Sequence, residues 1–253
     1  MARGEFPPAI RWIVRILRPP VMVLTKRDWR GAENLPAGGF VLAANHISHS
    51  DPVMLGHFLF DHGIAPRFLA KASLFRLPVL GRLILAAGQI PVERRSGSAG
   101  DALASAMSSV EQGDAVIIYP EGTLTRDPGI WPMAGRSGAA RVSLATGCPV
   151  IPLAQWGPQA ILPPYAKRPH LFPRSTMQMR VGRPVDLDDL RGREVDAQVL
   201  YQATDRILDA ITALLAEIRG EQPPAVRHDP RAPGDDATPT HHLERGDDEA
   251  KGA

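Results

Sequence analysis

The stretch Phe40-Val41-Leu42-Ala43-Ala44-Asn45-His46-Ile47-Ser48-His49-Ser50-Asp51 decides how this chain is read. Five consecutive apolar residues ahead of a turn have the length of a buried strand. Asn, Ser and Asp then supply turn chemistry. Asp51-Pro52 opens a helical pattern, with Ser50 as its N-cap and Pro52 in the first turn. His46 therefore stands at the exit of a strand and Asp51 at the entrance of the next helix. A tight connection folds the carboxylate back onto the imidazole. A carboxylate that accepts from one ring nitrogen fixes the tautomer and raises the basicity of the other, which can then take a proton from a hydroxyl. Two plainer readings attach to the same residues. A His-x4-Asp spacing (HX4D) also arises by chance in turns that favour these residue types. His46, His49 and Asp51 are moreover close enough to wrap a metal ion. No second cluster of Cys, His or carboxylate accompanies them in the part expected to fold, and His57, His62 and His170 have no evident ligand spacing.

Outward from this stretch the chain alternates strand and helix patterns. Strand-like segments fall near Val21–Arg30, Phe40–Ala44, Arg67–Ala70, Gln89–Val92, Ala115–Tyr119, Val150–Ala154 and Met177–Val181. Helical patterns fall near Pro52–Asp61, Leu74–Ala87, Gly97–Gln112, Gly135–Thr146 and Asp196–Arg219. The alternation predicts an α/β fold, with a mixed, largely parallel central sheet flanked by helices. Leu200, Ile207, Leu208, Ile211, Leu214 and Leu215 form a helical stripe that reads as core packing. The apolar residues of Leu74–Ala87 offer a wall for an acyl chain, or simply core.

Composition bounds the function classes. The 253 residues suffice for one substantial domain, and 44% apolar with 22% charged residues is ordinary for a globular chain. The single cysteine, Cys148, excludes an intrachain disulfide and lies in an apolar run, as a structural thiol does. No Gly-x-Ser-x-Gly elbow, Walker loop or Rossmann glycine fingerprint is present.

The two ends differ from the middle. Arg11, Arg15 and Arg18 line one face of a short helix, with Trp12, Ile13, Ile16 and Leu17 toward the other, and Pro19-Pro20 is expected to stop it. Residues 1–19 thus read as a basic amphipathic helix for an anionic membrane surface, too charged to span a bilayer and without a secretory signal pattern. The alternative is that the apolar face packs on the protein body. From Gly220 onward eight acidic residues face four basic ones, with almost no large apolar side chain, although the whole chain carries +2. Residues 220–253 therefore read as a disordered acidic tail, and 20–219 as the folded domain. His241-His242 reads as part of that solvated tail.

Three further segments complete a pattern. Gly88-Gln89-Ile90-Pro91-Val92-Glu93-Arg94 is a short strand ending in arginine. Val116-Ile117-Ile118-Tyr119-Pro120-Glu121-Gly122-Thr123 is a strand running into a turn. Cys148-Pro149-Val150-Ile151-Pro152-Leu153-Ala154 is a second buried run. Taken in order with the His-Asp segment, they resemble the four blocks of the glycerolipid acyltransferase superfamily, most closely the bacterial lysophosphatidic acid acyltransferases. Gly31-Ala32-Glu33-Asn34-Leu35-Pro36 looks like the family's lead-in. Ala70-Lys71-Ala72-Ser73-Leu74-Phe75-Arg76-Leu77-Pro78-Val79-Leu80-Gly81 looks like the segment between its first two blocks. The resemblance covers about residues 20 to 185. It implies transfer of a fatty acyl group from acyl-CoA or acyl carrier protein to 1-acyl-glycerol-3-phosphate, with no cofactor, no metal and no nucleic acid. The expected location is peripheral, on the cytoplasmic side of the plasma membrane. Carried over position by position, His46 is the general base, Asp51 its partner, and Arg94 a holder of the acceptor phosphate. Glu121, Gly122 and Thr123 help form the acceptor site. One departure stands out: family members often carry arginine directly after Glu-Gly-Thr, where this chain has Leu124, so that either Arg126 reaches the phosphate from two positions further on or that contact is weaker here. Lys71, after a strand-like segment, is a second candidate cation for phosphate.

Overall fold

A computed structural model describes residues 4–93, 99–166 and 168–232. Seven strands form one sheet: β1 (Thr25–Arg30), β2 (Phe40–Ala44), β3 (Pro66–Lys71), β4 (Ile90–Val92), β5 (Ala115–Ile118), β6 (Val150–Trp156) and β7 (Ser175–Val181). They lie in the order β1-β7-β6-β2-β5-β3-β4. All neighbouring pairs are parallel except β6 and β7, so β1 and β7 run opposite to the other five. The expected mixed, largely parallel α/β architecture is therefore what the chain adopts.

The apolar run of β2 is explained by its place. Every residue from Phe40 to Ala44 is buried, as a parallel strand covered on both faces must be. Alternate side chains enter opposite layers. Val41 and Ala43 join Val116, Ile118 and Val150 beneath α5 (Ala99–Glu111), α6 (Gly138–Thr146) and α8 (Ala197–Arg219). Phe40, Leu42 and Ala44 join Ile117, Ile151 and Leu153 beneath α2 (Asp51–Asp61). The stripe on α8 is core, with Leu200, Ile207, Leu208, Ile211 and Leu215 buried. That helix starts where Asp196 accepts from Val199 N at 2.8 Å and ends at Gly220 in the left-handed conformation.

Three expectations change, two of them at the ends of the chain. The helix α1 runs Pro8–Leu24, straight through Pro19 and Pro20. Two prolines remove backbone donors but keep helical φ, and tertiary anchors hold the last turn. Val21 is buried, Thr25 Oγ1 donates to Val21 O at 2.6 Å, and Arg174 Nη2 donates to Met22 O at 3.0 Å. The N-terminal unit thus ends at 24, not 19. The helix expected over 74–87 is two helices, α3 (Ala72–Phe75) and α4 (Leu80–Ala86), separated around Pro78. Leu74, Leu77, Val79, Leu80 and Leu85 are exposed, so most of this segment is not core. Finally, the tail is not featureless from 220. Arg227 pairs with Asp205 and Asp209 of α8, and Ala134 N donates to His228 O at 2.8 Å. Charge pairing onto a packed helix does there what apolar burial cannot. Residues 233–253, with His241 and His242, lie outside the described residues.

A short helical turn over Ala32–Asn34 follows Gly31, which has φ +82°. A Cβ on Gly31 would stand 2.1 Å from Val181 O. Gly31→Ala is expected to destabilise the protein by roughly 2–4 kcal/mol, combining left-handed strain with a backbone clash. The midpoint of urea unfolding measures it, and an unchanged midpoint would refute the packing described.

Candidate active site

The five parallel strands end at one edge of the sheet, where open α/β sheets place ligands. His46 follows β2 there, Glu121 follows β5, and Lys71 closes β3. Lys71 pairs in register with Val92 of β4 and is exposed. Arg94, two residues beyond Val92, lies outside the described residues.

The connection between β2 and α2 is folded by one carboxylate. Asp51 Oδ2 accepts from His46 Nδ1 at 2.8 Å, from Ile47 N at 2.7 Å and from Ser48 N at 2.9 Å. Asp51 is fully buried while the His46 side chain keeps 15% exposure. Burial pushes the Asp51 carboxyl above its usual range, and the bond from His46 and the two amides pull it back. The ring nitrogen Nδ1 is thereby occupied, which leaves Nε2 for a reacting hydroxyl. Ser50 does not cap α2 through its side chain. Its Oγ lies 2.8 Å from Ser48 Oγ instead, and Ser48 Oγ donates to Leu162 O at 2.7 Å.

Residues far away in sequence fix the rest of His46. Glu121 Oε1 accepts from His46 N at 3.0 Å, and Thr125 N donates to His46 O at 2.8 Å. The ring of Tyr119 stacks on the imidazole, with centroids 4.1 Å apart and planes at 15°. Asn45 Nδ2 donates to Gln155 O at 3.0 Å and its Oδ1 accepts from Gln155 N at 2.8 Å, which ties the end of β2 to β6. Tyr119 and Asn45 are marked only by position, the one immediately before Pro-Glu-Gly-Thr and the other immediately before His46, and neither was singled out as part of the site.

Two expectations about this site change. Glu121 is 3% exposed and uses its other oxygen, Oε2, to accept from Met133 N at 3.1 Å. It braces the backbone of His46 and the loop before α6, so it is a positioning residue and not a contact for the acceptor. Gly122 and Thr123 are half-buried beside it, and Leu124 is buried with Arg126 exposed on the following loop. The backbone amides at the start of α2 are also spent: Asp51 N donates to Ser48 O, and Val53 N and Met54 N to Ser50 O. They do not supply donors for a developing oxyanion. Among the described residues, no group of three or more His, Cys, Asp or Glu is placed to hold a metal ion.

Burial raises the Glu121 carboxyl to about 8. Its value in the unfolded chain is near the ordinary one, so the folded protein binds more protons between these limits. Stability then falls as pH rises from about 4.5 to about 8, at up to about 1.4 kcal/mol per pH unit for this one group. Glu121→Gln is expected to flatten the dependence of Tm on pH across that window. An unaltered slope would refute the assignment.

Comparison with known proteins places the chain. The Acyltransferase family matches residues 26–156. The chloroplastic 1-acyl-sn-glycerol-3-phosphate acyltransferase BAT2 of Brassica napus is 33% identical over 141 residues, covering 54% of this chain and 39% of that protein. The 1-acyl-sn-glycerol-3-phosphate acyltransferase of Borreliella burgdorferi is 32% identical over 125 residues, covering 49% and 48%. A lyso-ornithine lipid O-acyltransferase of Pseudomonas aeruginosa is 31% identical over 120 residues, covering 47% and 43%. The matched segment thus spans less than half of each of these relatives. The crystal structure of the 1-acyl-sn-glycerophosphate acyltransferase PlsC from Thermotoga maritima shares the fold, with a TM-score of 0.60 and 21% identity over 85% of this chain and 81% of that one. The match extends over more than half of the sequence and takes in the His46–Asp51 pair, the Glu121 turn and β6, so the chain belongs to the acyltransferase family.

Proposed function

We propose that this protein transfers a fatty acyl group from a thioester of coenzyme A or acyl carrier protein to the free hydroxyl of 1-acyl-glycerol-3-phosphate, giving phosphatidic acid. The observation that carries the reading is the 2.8 Å contact between His46 Nδ1 and Asp51 Oδ2 at the carboxyl edge of the sheet. His46 Nε2 takes the hydroxyl proton as the oxygen attacks the thioester carbonyl. The tetrahedral intermediate collapses, the carbon–sulfur bond breaks, and the thiolate recovers the proton from the imidazolium. No side-chain nucleophile is required. Burial raises the Cys148 thiol, which keeps it protonated. Arg94 and Lys71 supply cations for the acceptor phosphate.

The acceptor is an amphiphile, and the helix α1 offers a surface for working beside lipid. Ile10 is buried, and Ile13 and Val14 pack with it against Phe60, Ala65 and Ala87. Arg18 turns onto Asp61 at 3.0 Å. The opposite face leaves Trp12 62%, Ile16 64% and Val23 66% exposed. These three follow one another at helical spacing, with exposed Arg11 and Arg15 beside them. Phe172, 77% exposed, stands two residues before Arg174, whose guanidinium bonds the last turn of this helix. We read this face as a peripheral contact with an anionic bilayer, on the cytoplasmic side of the plasma membrane. No helix among the described residues is long and apolar enough to cross a membrane. One observation favours a second acceptor class, a lysolipid whose headgroup is not a phosphate ester: Leu124, where the family often has arginine, is buried at 2% exposure.

Transfer of labelled acyl groups to a panel of lysolipids tests the reaction. His46→Ala and Asp51→Asn should each lower turnover by about 10²–10⁴-fold, with Tm little changed for His46→Ala. Activity should survive chelation. Wild-type levels in His46→Ala would sink the mechanism. For the surface, Trp12→Ser combined with Ile16→Ser should weaken sedimentation with anionic liposomes while leaving far-UV circular dichroism unchanged. Equal sedimentation would remove α1 from the contact.

A further inference from the structure

We propose that Arg136 holds the phosphate of the acceptor, standing in for the arginine that this chain lacks after Glu-Gly-Thr. The inference rests on the acyl-transfer reading and names a further residue of the same site. Three observations carry it. First, the position after Thr123 is closed to a cation, since Leu124 is 2% exposed and its carbonyl accepts from Tyr165 OH at 3.0 Å. Second, Arg126 and Arg136 are both exposed, and Arg126 sits on a loop shaped by Asp127, which accepts from Gly129 N and Trp131 N at 2.9 and 3.1 Å, whereas the Arg136 stem is set against the turn itself. Third, Arg136 lies directly against Gly122. A Cβ built on Gly122 would stand 2.9 Å from Arg136 Cδ and 3.0 Å from its Nε.

The backbone makes this approach firm. Arg136 N donates to Pro120 O at 2.7 Å, which closes the loop from 120 to 136 onto its own start. Gly122 has φ +70° and no side chain, so the arginine stem crosses the turn at van der Waals distance. The glycine is thus required for its backbone angle, and its missing side chain leaves the arginine stem room to lie against the turn. The next residue back, Glu121, bonds the amide of His46, so this guanidinium is carried on the turn that holds the base. Among the described residues, no ion pair or side-chain hydrogen bond occupies the Arg136 guanidinium. Its five donors and planar fork suit a phosphate monoester, which presents several acceptor oxygens to a bidentate partner. An arginine twelve to sixteen residues beyond the turn is thereby brought by loop closure to the turn that normally carries it.

The test uses the full chain, the thioester that the wild type accepts, and two acceptors with the same hydroxyl: 1-acyl-glycerol-3-phosphate and 1-acyl-glycerol. Arg136→Ala should raise KM for the phosphorylated acceptor about tenfold or more, leave the donor KM within about twofold, and leave turnover of 1-acyl-glycerol unchanged. Arg136→Lys should fall between, and Arg126→Ala should resemble the wild type. Direct titration with glycerol 3-phosphate gives a readout free of turnover, with weaker binding expected in Arg136→Ala. If that variant fails to melt cooperatively, Arg136→Lys carries the comparison, and an unchanged acceptor KM there overturns the proposal. Equal losses on both acceptors would also overturn it, because they would mark a role in folding the turn. A wild type that acylates only 1-acyl-glycerol, or neither acceptor, would instead defeat the parent reading.

Discussion

A single carboxylate oxygen organises the centre of this molecule. Asp51 Oδ2 gathers three donors, His46 Nδ1 and the amides of Ile47 and Ser48, within 2.9 Å. The two amides close the turn between β2 and α2, and the third contact aims the ring. Folding the loop and preparing the base are therefore one event. A carboxylate sealed from water accepts such donors strongly, because nothing else competes for its lone pairs. The burial that makes Asp51 costly to ionise also makes its partners hard to lose.

Around this pair the chain builds a frame from distant segments. Glu121 and Thr125 grip the backbone of His46 from the turn after β5, and Tyr119 covers one face of its ring. Met133 reaches back to Glu121, and the next residue, Ala134, is tied to His228 near the end of the described chain. Hydrogen bonds thus run from the backbone of His46 through the Glu121 carboxylate to the C-terminal segment. Such support is what holds a reacting group near its productive geometry.

Much of this was legible in the residues. The run Phe40–Ala44 marked β2 to the residue, because an all-apolar pentapeptide before a turn fits a strand covered on both faces. The pairing of His46 with Asp51 was one of the readings that their spacing left open, beside a chance turn pattern and a metal site, and the 2.8 Å contact selects it. What spacing does not reveal is partnership over long separations. Glu121 lies 75 residues from His46, and its motif position suggested a ligand contact although its two oxygens serve backbone amides. Pro19-Pro20 misled for a similar reason, since the propensity to stop a helix was outweighed by Val21, Thr25 and Arg174. At the tail, composition argued for disorder, and Arg227 found acidic partners on α8. In each case local tendency was right in kind and lost to a contact made elsewhere in the fold.

The reversal of β7 against β6 has a consequence for the proposed reaction at a bilayer surface. Because β1 follows β7 in direction, Thr25 begins its strand at the same edge where β2 ends. The last turn of α1 is therefore delivered beside the catalytic rim and not to the far side of the sheet. A bilayer resting on that helix would lie alongside the reaction centre, so a lysolipid could slide in sideways with its tail still shielded, and the more apolar product could depart by the same lateral route.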